Sequence, residues 1–381
     1  MIRVGISCEF LATKRNGTAT YSANLLRGLG AQDGQRYVAY IAAPEARALI
    51  PPGAIEPRLV RPYNAYVRLA ATLPLELLRR PVDLLHAQGW GPMWAPCPML
   101  LTVHDIGWER FPQIYPKALA LRLSYLVRDS ARRAVRIVAS SRYTAADLTE
   151  LYQVPPEKIR VVYPPMNPDL APVADPAARA AVLARHGIAG PYLLYVGSIE
   201  PKKNVHRLIE AYAALRRDYG LPHRLVIVGR PLWLAEPILR LPTDLGLGDH
   251  VRFTGPVPED DLAALYSGAD AFAFLGMYEG FGYPPLEALA CGVPVLAASR
   301  TSLPEVLGDA ALLVDPDDLG AVVRGLAELL AGGPQVEQRR ERGRTRVRQF
   351  GVAAHARQIA AVYEESVAAA ARRGSAERGR P

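Results

Sequence analysis

Residues 192–216 read YLLYVGSIEPKKNVHRLIEAYAALR. A short run of aromatic and branched residues, 192–196, stops at Gly197. A polar loop with one glycine and one proline follows, then a helical pattern near 204–216. Strand, loop and helix in that order are the repeating unit of a parallel sheet covered by helices. The same grammar extends in both directions. Upstream, candidate strands lie at 2–6 (IRVGI), 37–41, 82–85, 99–103 (MLLTV), 136–139 and 160–163, with helical patterns notably at 19–29 and 117–134. Downstream, strands are expected at 224–228 (RLVIV), 251–253, 271–275 (AFAFL), 294–297 and 311–314, and helices at 259–267, 285–290 and 353–372. The stretch 164–178, PPMNPDLAPVADPAA, is proline-dense and marks the best domain boundary. The reading is an α/β chain of two doubly wound domains, 1–168 and 169–350, with a cleft between them. A helix at 351–372 and a frayed tail at 373–381 complete it.

The chain has 381 residues, which suits two or three domains with large cores. Its three cysteines, Cys8, Cys97 and Cys291, lie far apart and form no CxxC, which argues against a disulfide scaffold or a cysteine-rich zinc site. The seven histidines include no HExxH. No metal and no bound cofactor are expected. The opening MIRVGISCEF enters a strand-like run without the features of a signal peptide, and apolar runs fall far short of the ~20 residues of a membrane helix. A cytoplasmic location is expected, with peripheral contact at the inner face of a membrane left open.

Charge is unevenly placed. Residues 1–170 hold 21 Lys/Arg against 13 Asp/Glu, whereas residues 171–381 hold 24 of each, so the net +8 belongs to the first half. A basic half attracts phosphorylated ligands or anionic lipid headgroups. Nucleic acid is not expected as a partner, because zinc-finger, basic-zipper and RNP-like patterns are absent. An Arg-rich surface without a partner is the competing reading.

The densest chemical signal is Tyr278-Glu279-Gly280-Phe281-Gly282-Tyr283-Pro284-Pro285-Leu286-Glu287. Proline is harmless in the first turn of a helix, and glycine lets a backbone approach a ligand closely. The first-turn N–H groups are expected to receive a phosphate, with Glu287 in that same turn. Two carboxylates beside an anion site fit a polyhydroxy group attached to phosphate, as in a nucleotide-sugar. Alternatively, Glu279 is a solvated surface residue and Glu287 only favours the helix dipole.

A second loop, Gly197-Ser198-Ile199-Glu200-Pro201-Lys202-Lys203-Asn204, again follows a strand. Lys203 is placed to neutralise a departing diphosphate, and Lys202 is expected in solvent. The loop lacks GxxxxGK[ST]. An ordinary turn and helix cap is the competing reading. In the first half, strand 99–103 ends at His104, a better candidate than a mid-helix histidine, and His86 after strand 82–85 is a weaker one. The loop Asn16-Gly17-Thr18 opens a helix but is not GxGxxG, which counts against a dehydrogenase.

On YEGFGYPPLEALACGVPVLAA, SLPEVLGDAALLVDP, VGSIEPKKN and LTVHDI, the chain resembles the retaining, nucleotide-sugar-dependent glycosyltransferases of group 1 with the GT-B fold, mannosyltransferases in particular. The resemblance spans roughly residues 1–370. It implies that Lys203 contacts the donor diphosphate, Glu287 the ribose, Glu279 the transferred sugar, His104 the sugar near the reacting centre, and Gly17 the diphosphate. Ser198, Gly282 and Tyr283 join the donor contacts. It also implies that the final helix returns to the first domain. Where members of the family often carry an arginine near position 198, this chain has serine, so more of the diphosphate's charge falls on Lys203 and the first turn near Gly282. Ala19 stands where a second glycine is usual. The implied donor is a nucleotide-sugar, with GDP-mannose favoured and UDP- or ADP-sugars as alternatives. The implied acceptor is a glycan, a lipid-linked sugar or a small molecule. A nucleotide-sugar epimerase or hydrolase of the same fold is the rival reading.

Overall fold

The computed structural model describes residues 1–9, 11, 17–32 and 34–378, with side chains to Arg372. The chain divides into two units: Met1–Gln113, Lys117–Asn167 and Phe350–Pro381 form the first, and Ile114–Pro116 with Pro168–Gln349 the second.

The first unit is built on a parallel sheet of seven strands: β1 Arg3–Cys8, β2 Arg36–Ile41, β3 Ile55–Leu59, β4 Leu84–Gln88, β5 Met99–Val103, β6 Arg136–Ala139 and β7 Ile159–Val161. Their spatial order is β3-β2-β1-β4-β5-β6-β7. Strands β4 and β5 are buried throughout and mostly apolar, as a sheet covered on both faces requires. β3 is absent from the sequence reading. Its IEPRL carries two charges in five residues and contains proline, which a parallel sheet tolerates at its edge. β4 lies two residues later than expected, so His86 is inside a central strand rather than beyond it. His86 is fully buried, bonded through Nδ1 to the Tyr363 hydroxyl at 2.8 Å and through Nε2 to Thr102 Oγ1 at 2.7 Å. With both nitrogens engaged, it is a core residue.

The final helix, Val352–Arg378, packs its Ala356, Ile359, Val362 and Tyr363 into the same core as Val4, Ile6, Leu25 and Leu29. Gly28 allows the close approach: a Cβ there would lie 2.9 Å from both Ala356 Cβ and Val352 Cγ1. This helix continues through residues 373–378, read above as frayed, and residues 379–381 lie outside the described residues.

The second unit repeats the plan with six parallel strands: β8 Tyr192–Val196, β9 Arg224–Val228, β10 Val251–Gly255, β11 Ala271–Phe274, β12 Val295–Ala298 and β13 Leu312–Val314. Their order is β10-β9-β8-β11-β12-β13. Both sheets therefore reverse direction once, between β1 and β4 in the first and between β8 and β11 in the second. Ligands of doubly wound sheets bind beyond the strand carboxyl ends at that reversal. Helices Glu236–Asp244, Leu319–Ala331 and Pro334–Val347 were not anticipated. The first carries Pro242 in its interior, and the last is strongly polar, which obscures the helical period.

Candidate active site

The loops after β8 and β11 flank the reversal of the second sheet, and the chain ties them together. Met277 N–H donates to the Lys202 carbonyl at 2.9 Å. Lys203 Nζ donates to Glu279 Oε1 at 2.7 Å and lies 5.3 Å from the centre of the Phe274 ring. Glu279 is only 6% exposed, so it is not a solvated surface residue. A buried carboxylate needs a charge or hydrogen-bond partner, and Lys203 supplies both. The two residues assigned above to different parts of a ligand are thus already an ion pair.

Backbone bonds fix the glutamate. Its N–H donates to Thr301 Oγ1 at 3.1 Å, and its carbonyl accepts from the buried Ser302 hydroxyl at 2.8 Å. Thr301 holds φ +56°, a conformation costly for a β-branched side chain. Neither residue was singled out from sequence, although Ser302 opens one of the phrases that carried the resemblance. Lys202 is buried, its Nζ 5.7 Å from the centre of the Tyr278 ring, and not in solvent as expected. Ser198 turns its hydroxyl to Glu200 Oε1 at 2.6 Å.

The helix after the second loop is Tyr283–Ala290, with Gly282 as its N-cap at φ +96°. Two expectations fail here. Pro284 and Pro285 occupy the first turn and carry no N–H, so that turn offers an anion fewer donors than the reading assumed. Glu287 lies one turn further on, and no acidic residue stands in the first turn. Its role is therefore not to complement the helix dipole. Glu287 Oε2 accepts from the Tyr266 hydroxyl at 2.8 Å, and burial pushes its carboxyl up to about 7. Tyr283 stands edge-on to Phe281, ring centres 5.2 Å apart.

Gly17 and His104 belong to the first unit. Gly17 opens the helix Gly17–Gly30, and Asn16 lies outside the described residues. His104 follows β5. Its Nδ1 is 3.2 Å from Ser140 Oγ, whose hydroxyl donates to the Val103 carbonyl at 3.4 Å. That network assigns the proton to Nδ1 and leaves the lone pair on Nε2, which is buried without a partner among the described residues. Burial lowers the imidazole to about 4, so it is neutral at pH 7. His355, on the final helix, repeats this state. Its Nδ1–H donates to the Tyr163 carbonyl at 2.9 Å, its Nε2 has no partner among the described residues, and burial lowers it to about 4. The Tyr21 ring meets both imidazoles edge-on, at 4.8 Å from His104 and 5.5 Å from His355. Nothing in the sequence near His355 marks it. Neutral imidazoles with an open acceptor nitrogen suit hydroxyl ligands. Among the described residues, no cluster of three or more His, Cys, Asp or Glu is placed to hold a metal ion.

The fold agrees with the comparisons. The first half matches the family model Glycosyltransferase Family 4 over residues 15–170, and the second matches Glycosyl transferases group 1 over residues 185–346. The chain belongs to the group-1 glycosyltransferases, with the GT-B pair of Rossmann-like domains. It is 32% identical over 250 residues to O-antigen chain mannosyltransferase B of Escherichia coli, covering 65% of this chain and 65% of that protein. It is 32% identical over 317 residues to D-inositol 3-phosphate glycosyltransferase of Salinispora tropica, covering 75% of this chain and 64% of that protein. The chain thus spans just under two thirds of the length of these relatives. Among solved structures it superposes on Anabaena HepE in complex with UDP and glucose, with a TM-score of 0.75 and 20% identity over 96% of this chain and all of that one.

Proposed function

We propose that this chain transfers a hexose, mannose from GDP-mannose, to a glycan, a lipid-linked sugar or a small-molecule acceptor, with retention of the anomeric configuration. The observation that carries the reading is the Lys203–Glu279 pair, held by two loops at the reversal of the second sheet. The mannosyltransferase relative supports the choice of sugar.

In this reading the donor diphosphate competes with Glu279 for Lys203. As the sugar–phosphate bond breaks, negative charge grows on the diphosphate and positive charge on the sugar. Lys203 stabilises the first and Glu279 the second, so the pair is drawn apart along the reaction. The Glu287 carboxylate accepts from the ribose hydroxyls. His104, through its open Nε2, accepts a sugar hydroxyl. Ser198, Gly282 and Tyr283 line the donor, and Gly17 approaches the diphosphate. The departing phosphate oxygen takes the acceptor's proton on the same face, so no protein nucleophile and no metal are required.

The test incubates the chain with GDP-mannose, UDP-glucose or ADP-glucose and candidate acceptors, with and without a chelator. Nucleoside diphosphate release and NMR of the product anomer are measured. A retained α-mannoside from GDP-mannose, unaffected by chelator, is expected. Transfer from UDP-glucose alone favours the alternative donor, in line with the UDP bound by HepE. Free sugar or an epimerised donor without transfer would point to the rival reading.

A further inference from the structure

The helix Lys117–Arg133 of the first unit hides Ala120, Val127, Ser130 and Ala131 but turns Leu121 and Tyr125 outward, 73% and 65% exposed. Residues spaced by three and four share a helix face, so Lys117, Leu121, Arg122, Tyr125 and Arg132 lie along one exposed side. This reverses the usual arrangement, in which leucine faces the core.

Two other segments join that side. The Arg122 guanidinium lies 5.5 Å from the centre of the Tyr66 ring, which brings in the turn with Tyr63, Tyr66 and Val67. Trp94 Nε1 donates to the Ala70 carbonyl at 3.2 Å, which ties the exposed Met93–Trp94 beside that turn. Tyr63 and Met93 are 62% and 60% exposed. Monomeric proteins rarely present so many large apolar side chains together.

Charge selects the occupant. Residues 61–75, 90–104 and 111–128 contain no Asp or Glu. Arg61, Lys117, Arg122 and Arg132 make no ion pair among the described residues. A second copy docked across a two-fold axis would set like charges against each other. Anionic headgroups match the cations, and tyrosine, tryptophan and leucine are the side chains that enter the headgroup boundary. We infer that this face, centred on Leu121, Arg122, Tyr125 and Tyr66, docks the chain peripherally on an anionic membrane.

The inference does not depend on the donor or the reaction, so its test uses neither. The full chain is sedimented with vesicles of neutral phosphatidylcholine alone or mixed with anionic phosphatidylglycerol, at low and high salt. Binding to anionic vesicles that weakens with salt is expected. Each cation near a membrane surface is worth about 1 kcal/mol, or roughly fivefold in partitioning. The Lys117→Gln/Arg122→Gln/Arg132→Gln variant should therefore lose on the order of 100-fold. A control with Arg217→Gln, Arg240→Gln and Arg344→Gln on the second unit should bind as the parent does. Leu121→Ser/Tyr125→Ser should lose binding at every salt concentration. Equal and negligible binding to both vesicle types overturns the inference. So does a triple variant that binds like the parent, or a concentration-dependent dimer abolished by Leu121→Ser/Tyr125→Ser without vesicle binding.

Discussion

Lys203 and Glu279 test each other. Removing either leaves a largely buried charge without its partner, so the single losses overlap. Glu279→Gln should lower kcat by on the order of 10²–10³ while tightening nucleoside diphosphate binding, because Lys203 is then free of its competitor. Lys203→Met should lower kcat and weaken diphosphate binding together. The double variant should be far better than the product of the two losses, and steady-state kinetics on all four proteins gives the coupling. Strict additivity would separate the two residues functionally. Glu287 offers a pH readout. With its carboxyl near 7, about half is protonated at neutral pH. Hydroxyls that donate to the charged form pull that value down. Binding of nucleoside diphosphate at pH 7 should then release up to about half a proton. Calorimetry in buffers of different ionisation enthalpy measures it, and Glu287→Gln should abolish it. The same raised value favours the folded state below the ordinary carboxylate range, and that contribution is lost as pH rises toward 7.

At the level of elements, the Lys203–Glu279 pair is a property of loop ends, whereas Glu287 and His355 sit on helices. Gly282 carries a strict backbone requirement. Its φ of +96° suits glycine, and a Cβ would stand 2.6 Å from Leu303 Cδ2. Gly282→Ala should destabilise the second unit by about 1–3 kcal/mol, read by denaturant unfolding, and displace the start of helix Tyr283–Ala290. The strand-and-loop grammar and the chemistry-bearing loop ends were legible because short apolar runs closing on glycine leave a clear trace. What escaped was set by partners distant in sequence. Lys202 looks like a surface lysine until the Tyr278 ring lies near it. Glu287 looks like a first-turn carboxylate until the helix start is fixed at Tyr283. Thr301, Ser302 and Tyr266 matter through contacts 20 or more residues away, which no local pattern encodes. His355 is 192 residues from the carbonyl that sets its tautomer.

On the scale of the whole molecule, the first unit takes its core from both early and late parts of the chain. Ala356, Ile359, Val362 and Tyr363 fill a space among Leu25, Leu26 and Leu29 that nothing earlier in the sequence fills in their stead. The ribosome delivers these residues only after all of Pro168–Gln349 has emerged. Sheet β3-β2-β1-β4-β5-β6-β7 must therefore wait, with one apolar face open, while the second unit completes its own fold. Nascent chains in that state are natural clients for holdase chaperones. A fragment ending at Asn167 should be aggregation-prone when expressed alone, and co-expression of residues 350–381 in trans should restore it to the supernatant. Gly28→Val, which crowds the groove that the late helix must enter, should defeat that rescue. The chain is in this sense synthesised in one order and finished in another.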